Sequence, residues 1–92
     1  MAARAVADGA RALGLVAPWF RSPPGVPGTD RSMRRLPDGR CIVAVRAFDR
    51  PFEDVVADLI EGVIVANRLE GERAATVRRS LAAAAAPMGQ AA

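Results

Sequence analysis

Hydrophobic and polar positions alternate with different periods along the 92 residues, and the period names the elements. The clearest stretch is 50–70. Phe52, Val55, Val56, Leu59, Ile60, Val63, Ala66 and Leu69 fall at i, i+3, i+4, i+7 spacing, while Asp54, Asp58, Glu61 and Arg68 take the opposite side. This predicts a long amphipathic helix, with Pro51 in its first turn and Gly71 as its cap. A second, shorter helix is expected over 72–86. Ala74, Val77, Leu81, Ala84 and Ala85 share one of its faces, and Pro87 is expected to stop it, leaving 87–92 as a tail.

Before these helices the period changes to two. Cys41, Val43, Val45 and Ala47 make one apolar strand face. Arg40, Ile42, Ala44, Arg46 and Phe48 make a second, half-wet one. Leu36-Pro37-Asp38-Gly39-Arg40 supplies a turn: Pro37 presets φ, Asp38 suits the next position, and Gly39 tolerates positive φ. Residues 31–48 are therefore expected to form a β-hairpin whose first strand is an edge guarded by charge.

The first thirty residues read as an arm. A weak helix is expected over 2–17, burdened by Gly9 and Gly14 and ended by Pro18. Residues 18–30 hold four prolines and two glycines and read as an extended linker without ladder pairing. The expected fold is α+β: a small core over 31–86 with a hairpin packed on a long helix, then a shorter helix, and an optional amino-terminal helix.

Composition narrows the chemistry. There is no His and no Tyr, there is one Cys, and all 13 cations are Arg. That removes imidazole bases, Ser-His-Asp and Cys-His nucleophiles, His-ligated metals, lysine Schiff bases and internal disulfides. No catalytic residues, cofactor or metal are expected, and the chain reads as a non-enzyme. No apolar run is long enough for a membrane span, and the amino terminus lacks a convincing leader, so a cytoplasmic protein is expected.

Charge is unevenly placed. Residues 1–46 carry eight Arg and three Asp, net +5; residues 47–92 carry five Arg and seven acids, net −2, for a total of +3. Arg21, Arg31, Arg34, Arg35, Arg40 and Arg46 gather between 21 and 46, next to Trp19 and Phe20. These eight residues are the candidates for contact with a partner, which is an unknown protein or nucleic acid. Trp19 and Phe20 are expected either to plug the core or to anchor that partner.

Three other constellations are weighed against plainer readings. Asp54, Asp58 and Glu61 stack carboxylates on one helical face, which more simply is a solvated acidic face than a cation site. Gly25-Val26-Pro27-Gly28 has the GxxG pattern but sits in proline-rich coil. Cys41 reads as a small buried residue rather than a reactive thiol.

The stretch Gly62-Val63-Ile64-Val65-Ala66 is apolar all round the helix and calls for burial on every side. A hairpin and one Ala-rich helix offer too little cover. A homodimer is therefore expected, with Gly62, Ile64, Val65, Ala66 and Leu69 at its interface and Asn67 fixing register. The favoured function is a non-catalytic, homodimeric interaction or assembly module presenting its Arg-rich arm and hairpin.

The competing function is DNA binding. A basic strand at Arg40–Arg46 followed by two helices from Pro51 resembles ribbon-helix-helix proteins, in which two copies pair strands into a groove-reading ribbon. The first helix expected here is longer than that fold's. More widely, Ser22-Pro23-Pro24-Gly25, Asp30-Arg31-Ser32, Asp38-Gly39, Val43-Ala44-Val45-Arg46, Arg50-Pro51-Phe52 and Ile60 through Leu69 resemble small uncharacterised actinobacterial proteins. That resemblance spans about half the chain. It implies a bacterial cytoplasmic protein from a high-GC genome, and no activity or site residues.

Overall fold

The computed structural model describes residues 2–21, 31–46 and 50–90. It is α+β, as expected. In chain order the elements are α1 (Ala2–Ala12), β1 (Trp19–Arg21), β2 (Arg31–Arg35), β3 (Cys41–Val45), α2 (Phe52–Ala66) and α3 (Gly71–Gln90).

The hairpin forms as its turn residues dictate. Gly39 has φ +91°, its N–H donates to the Leu36 carbonyl at 3.0 Å, and Leu36 N–H donates to the Arg40 carbonyl at 2.7 Å. β2 and β3 then pair antiparallel, with Met33 opposite Val43 and Arg35 opposite Cys41. The expected strand reached to 48; Ala47 and Phe48 lie outside the described residues.

The sheet is larger than the expected hairpin. Trp19–Arg21 pairs parallel with β3, setting Trp19 against Ile42, Phe20 against Val43 and Arg21 against Ala44. Strand order is β1-β3-β2. Sequence reading excluded ladder pairing from 18–30 because of its prolines. None of them falls between 19 and 21, so all three N–H groups are available. β3, the most apolar strand, becomes central, and its backbone is paired on both sides.

α1 is part of the core and not an arm. Its Val6 and Ala10 are wholly buried against the other helices. It ends at Ala12, earlier than expected, and its terminator is Gly14 instead of Pro18. Gly14 takes φ +75°, its N–H donates to the Arg11 carbonyl at 3.0 Å, and Leu15 N–H reaches back to Ala10 at 2.9 Å. This pair of bonds is a Schellman cap, which needs a left-handed residue at that point. Gly9, inside the helix, marks close approach: a Cβ there would sit 2.9 Å from Leu81 Cδ2 on α3.

α2 is closed by a second Schellman cap, also before the expected end. Arg68 N–H donates to the Val65 carbonyl at 3.1 Å and Leu69 N–H to the Ile64 carbonyl at 3.0 Å, with Arg68 at φ +53°. Buried Ile64 and Leu69 supply the apolar contact that accompanies this motif. Gly71 is therefore not the cap of α2. An L-residue at positive φ is strained, so Arg68→Gly is expected to raise stability by about 1 kcal/mol. The midpoint of urea unfolding checks this.

α3 runs past Pro87, which was expected to stop it. Proline removes the N–H that would bond the Ala83 carbonyl. Ala83 and Pro87 both lie on the exposed side of the helix, so the lost bond falls outside the core. Ala74, Val77, Leu81 and Ala85 form the buried stripe.

α2 sits in the middle of the molecule. One side meets β3, where Gly62 lets the sheet come close: an added Cβ would stand 2.8 Å from Val43 Cγ1 and 3.3 Å from Phe20 Cε1. Other sides meet α1 and α3. This arrangement buries most of the helix's apolar circumference within one chain and leaves Val65 exposed.

Candidate functional site: the outer face of the sheet

Side chains alternate along a strand, so the ladder register sorts the sheet residues onto two faces. Cys41, Val43 and Val45 are buried toward the helices, and Phe20, beside Val43, packs on the same core. The other face carries two cross-strand rows: Trp19–Ile42–Arg34 and Arg21–Ala44–Ser32. Arg40 and Arg46 follow the same alternation at the two ends of β3. Among the described residues, no element packs over this face.

Trp19 stands 59% exposed, with the Arg40 guanidinium carbon 5.1 Å from its ring centroid. This is cation–π distance, so Arg40 steadies one part of the indole while the rest stays open. Arg40 is itself held by the turn. Its Nε donates to Asp38 Oδ2 at 2.6 Å, and its backbone N–H donates to Asp38 Oδ1 at 3.1 Å. The backbone bond is the leading reason that the Asp38 carboxyl lies below the ordinary aspartate range, followed by the bond and charge of the Arg40 side chain.

Arg21 and Arg34 are exposed and have no carboxylate partner among the described residues. A shallow trough of about 290 Å³ lies along the face, lined by Arg21, Ser32, Met33, Arg34, Ile42 and Ala44. Small side chains at Ser32 and Ala44 form its floor between flanking arginines. The face is thus a cationic platform with one aromatic ring standing on it.

The structure brings Trp19, Arg21, Arg34 and Arg40 together, places Arg46 just past the end of β3, and separates the other candidates from them. Phe20 turns inward, because adjacent strand residues point to opposite sides; it serves the core and not a partner. Arg35, opposite Cys41, has the parity of the inner face at the sheet edge. Arg31 pairs its backbone with Val45.

The five residues expected at a dimer interface fare differently. Gly62, Ile64, Ala66 and Leu69 are buried within a single chain, Ile64 at 4% exposure, while Val65 remains 42% exposed. The expectation that four of them need a second copy for burial is thus corrected: the sheet meets Gly62 through Val43 and Phe20, and α1 and α3 pack on other sides of α2. Asn67 also acts within the chain. Its Oδ1 accepts from Val16 N–H at 2.9 Å, and its Nδ2 donates to the carbonyls of Val16 at 2.8 Å and Val63 at 2.9 Å. It staples the segment after α1 to the end of α2.

The acidic trio on α2 is divided among ion pairs. Arg50 Nη2 lies 2.7 Å from Asp58 Oδ2, and Arg78 Nε lies 2.6 Å from Glu61 Oε1, while Asp54 stays at the surface. Among the described residues, no group of acids, Cys or His is placed to hold a metal. Among the described residues, no helix is long and apolar enough to cross a membrane. Cys41 is buried. The GxxG stretch Gly25–Gly28 lies outside the described residues.

A second concavity, about 480 Å³, lies between the start of α2 and the end of α3, lined by Phe52, Val56, Ile60, Ala82 and Ala85 among others. It is apolar and presents no cluster of reactive groups. Sequence reading did not find it, because it depends on how α2 and α3 are set against each other. Sequence reading also missed the common face of Trp19 and Arg34, which only the parallel β1–β3 pairing creates.

The strand that would form the intermolecular ribbon, β3, has both edges filled by β1 and β2. Comparison of the chain with family models, with curated proteins and with solved structures finds no match. The functional reading therefore comes from the chemistry of the face itself.

Proposed function

We propose that the protein is a non-catalytic binding module that holds an anionic partner on the outer face of its sheet. The observation that carries this reading is the convergence of Trp19, Arg21, Arg34 and Arg40 on one open surface whose only nearby described carboxylate, Asp38, is already engaged by Arg40. Unpaired guanidiniums beside a low-dielectric sheet attract anions and fix them through forked hydrogen bonds. A second copy is a poor occupant of this face. A twofold contact would set Arg21, Arg34 and Arg40 near their own equivalents.

The test uses a polyanion without bases. Heparin should bind the chain, and binding should weaken as salt rises. The double variant Arg21→Gln, Arg34→Gln should weaken it several-fold, whereas Arg35→Gln, off the face, should change it less. Equal affinity for the wild type and the double variant would overturn the reading.

A further inference from the structure

We propose that the anionic partner is single-stranded nucleic acid, with a base stacked on Trp19 and phosphates held by Arg21 and Arg34; this rests on the reading above and names its ligand. A purely electrostatic site has no use for an exposed indole. Leaving such a ring in water forgoes the burial of a large apolar surface, and inward-facing Phe20 shows that this same strand does supply the core. Trp19 is the one exposed aromatic of the sheet, and it stands in a row with Ile42 and Arg34. Its neighbour Arg40 touches the ring and limits its rotation, which makes a ready platform for a flat ligand.

Geometry favours an unpaired strand over a duplex. Three strands at the usual spacing of about 4.8 Å span roughly 10 Å between β1 and β2, and the helices lie behind them. A sheet presented by its face does not enter a groove in the manner of a two-stranded ribbon. Bases in a duplex are also stacked on each other and closed to Trp19, whereas a single strand offers them. The trough between Arg21 and Arg34 gives the backbone a path across Ala44 and Ser32, one row away from the stacking row.

Trp19 is the sole Trp and the chain has no Tyr, so intrinsic emission reports on this one ring. The experiment titrates the full chain with a single-stranded thymidine 20-mer, a duplex of equal length, and heparin, following both Trp emission and affinity. The single strand is expected to quench Trp19 and to bind more tightly than the duplex. Trp19→Ala, with its fold checked by circular dichroism, should lose about ten- to hundred-fold in affinity for the single strand, the range of one stacked base, and little for heparin. Trp19→Phe should retain most of it. Affinity should fall with salt at a slope near −0.7 per neutralised phosphate, about −1.4 for Arg21 and Arg34 together, and Arg34→Gln should remove half of that slope. Binding of heparin and both nucleic acids alike, with Trp19→Ala neutral, would overturn base stacking and leave the anionic-partner reading standing. Failure of all three polyanions to bind would overturn both.

Discussion

Leu81→Ala is expected to cost about 3–4 kcal/mol, the largest loss from any single truncation in this chain. Leu81 is fully buried and belongs to the same core as Val6 and Ala10 of α1, Val63 of α2 and Ala85 of α3. Its Cδ2 lies 2.9 Å from where a Cβ at Gly9 would stand, so it packs directly against that stretch of α1. Truncation would leave a cavity among well-packed neighbours on three helices, which can relax only in part. A chain of this size is held by only about 5–14 kcal/mol, so roughly a fifth or more of its stability is at stake. The melting temperature should drop by roughly 12–30 °C. Loss of less than about 1 kcal/mol in urea unfolding would mean that α1 does not rest on α3 as described.

Arg50→Met is expected to cost about 3 kcal/mol, for a different reason. Arg50 and Asp58 are only 10% and 19% exposed, and they meet at 2.7 Å. Arg50 also donates from Nη1 to the Arg46 carbonyl at 2.8 Å, tying the end of β3 to α2. Removing the guanidinium strands a largely buried carboxylate, and that penalty exceeds the net value of the pair. The double change Arg50→Met, Asp58→Leu should therefore be milder than Arg50→Met alone. A double-mutant cycle by urea denaturation measures this coupling. Additive losses would show that the two charges are solvated independently.

The same clamp shows what was legible in the sequence and what was not. The period of 3.6 over 50–70 and the Pro37-Asp38-Gly39 turn are local signals: the turn formed as read, and the helix formed over Phe52–Ala66 of the expected stretch. The cap at Arg68 was unreadable, because the motif sits at a residue that its side chain disfavours; Gly71, three positions on, was the better local candidate. Gly9 and Gly14 were counted as helix costs. One is the contact point for Leu81 and the other is the terminator of α1, roles that propensity does not encode.

That misreading of α1 propagated. With α1 treated as optional, α2 had too few neighbours, and a second copy was needed to cover Ile64 and Val65. With α1 in place, one chain buries Ile64, while Val65 stays exposed. The site was half legible in the same way. The Arg-rich stretch and Trp19 stood out by composition. Their shared face depends on a three-residue parallel strand whose pairing partner lies more than twenty positions away. Short strands among prolines carry almost no local signal.

The measurement that bears most directly on the outer sheet face as the working surface is backbone amide chemical-shift mapping by NMR during titration with the thymidine 20-mer. Shifts concentrated at Trp19–Arg21, Arg31–Arg35 and Cys41–Val45, together with the Trp19 indole N–H, are the expected result. Shifts confined to α2 and α3, around Phe52 and Ala85, would place the partner in the apolar groove and contradict the account.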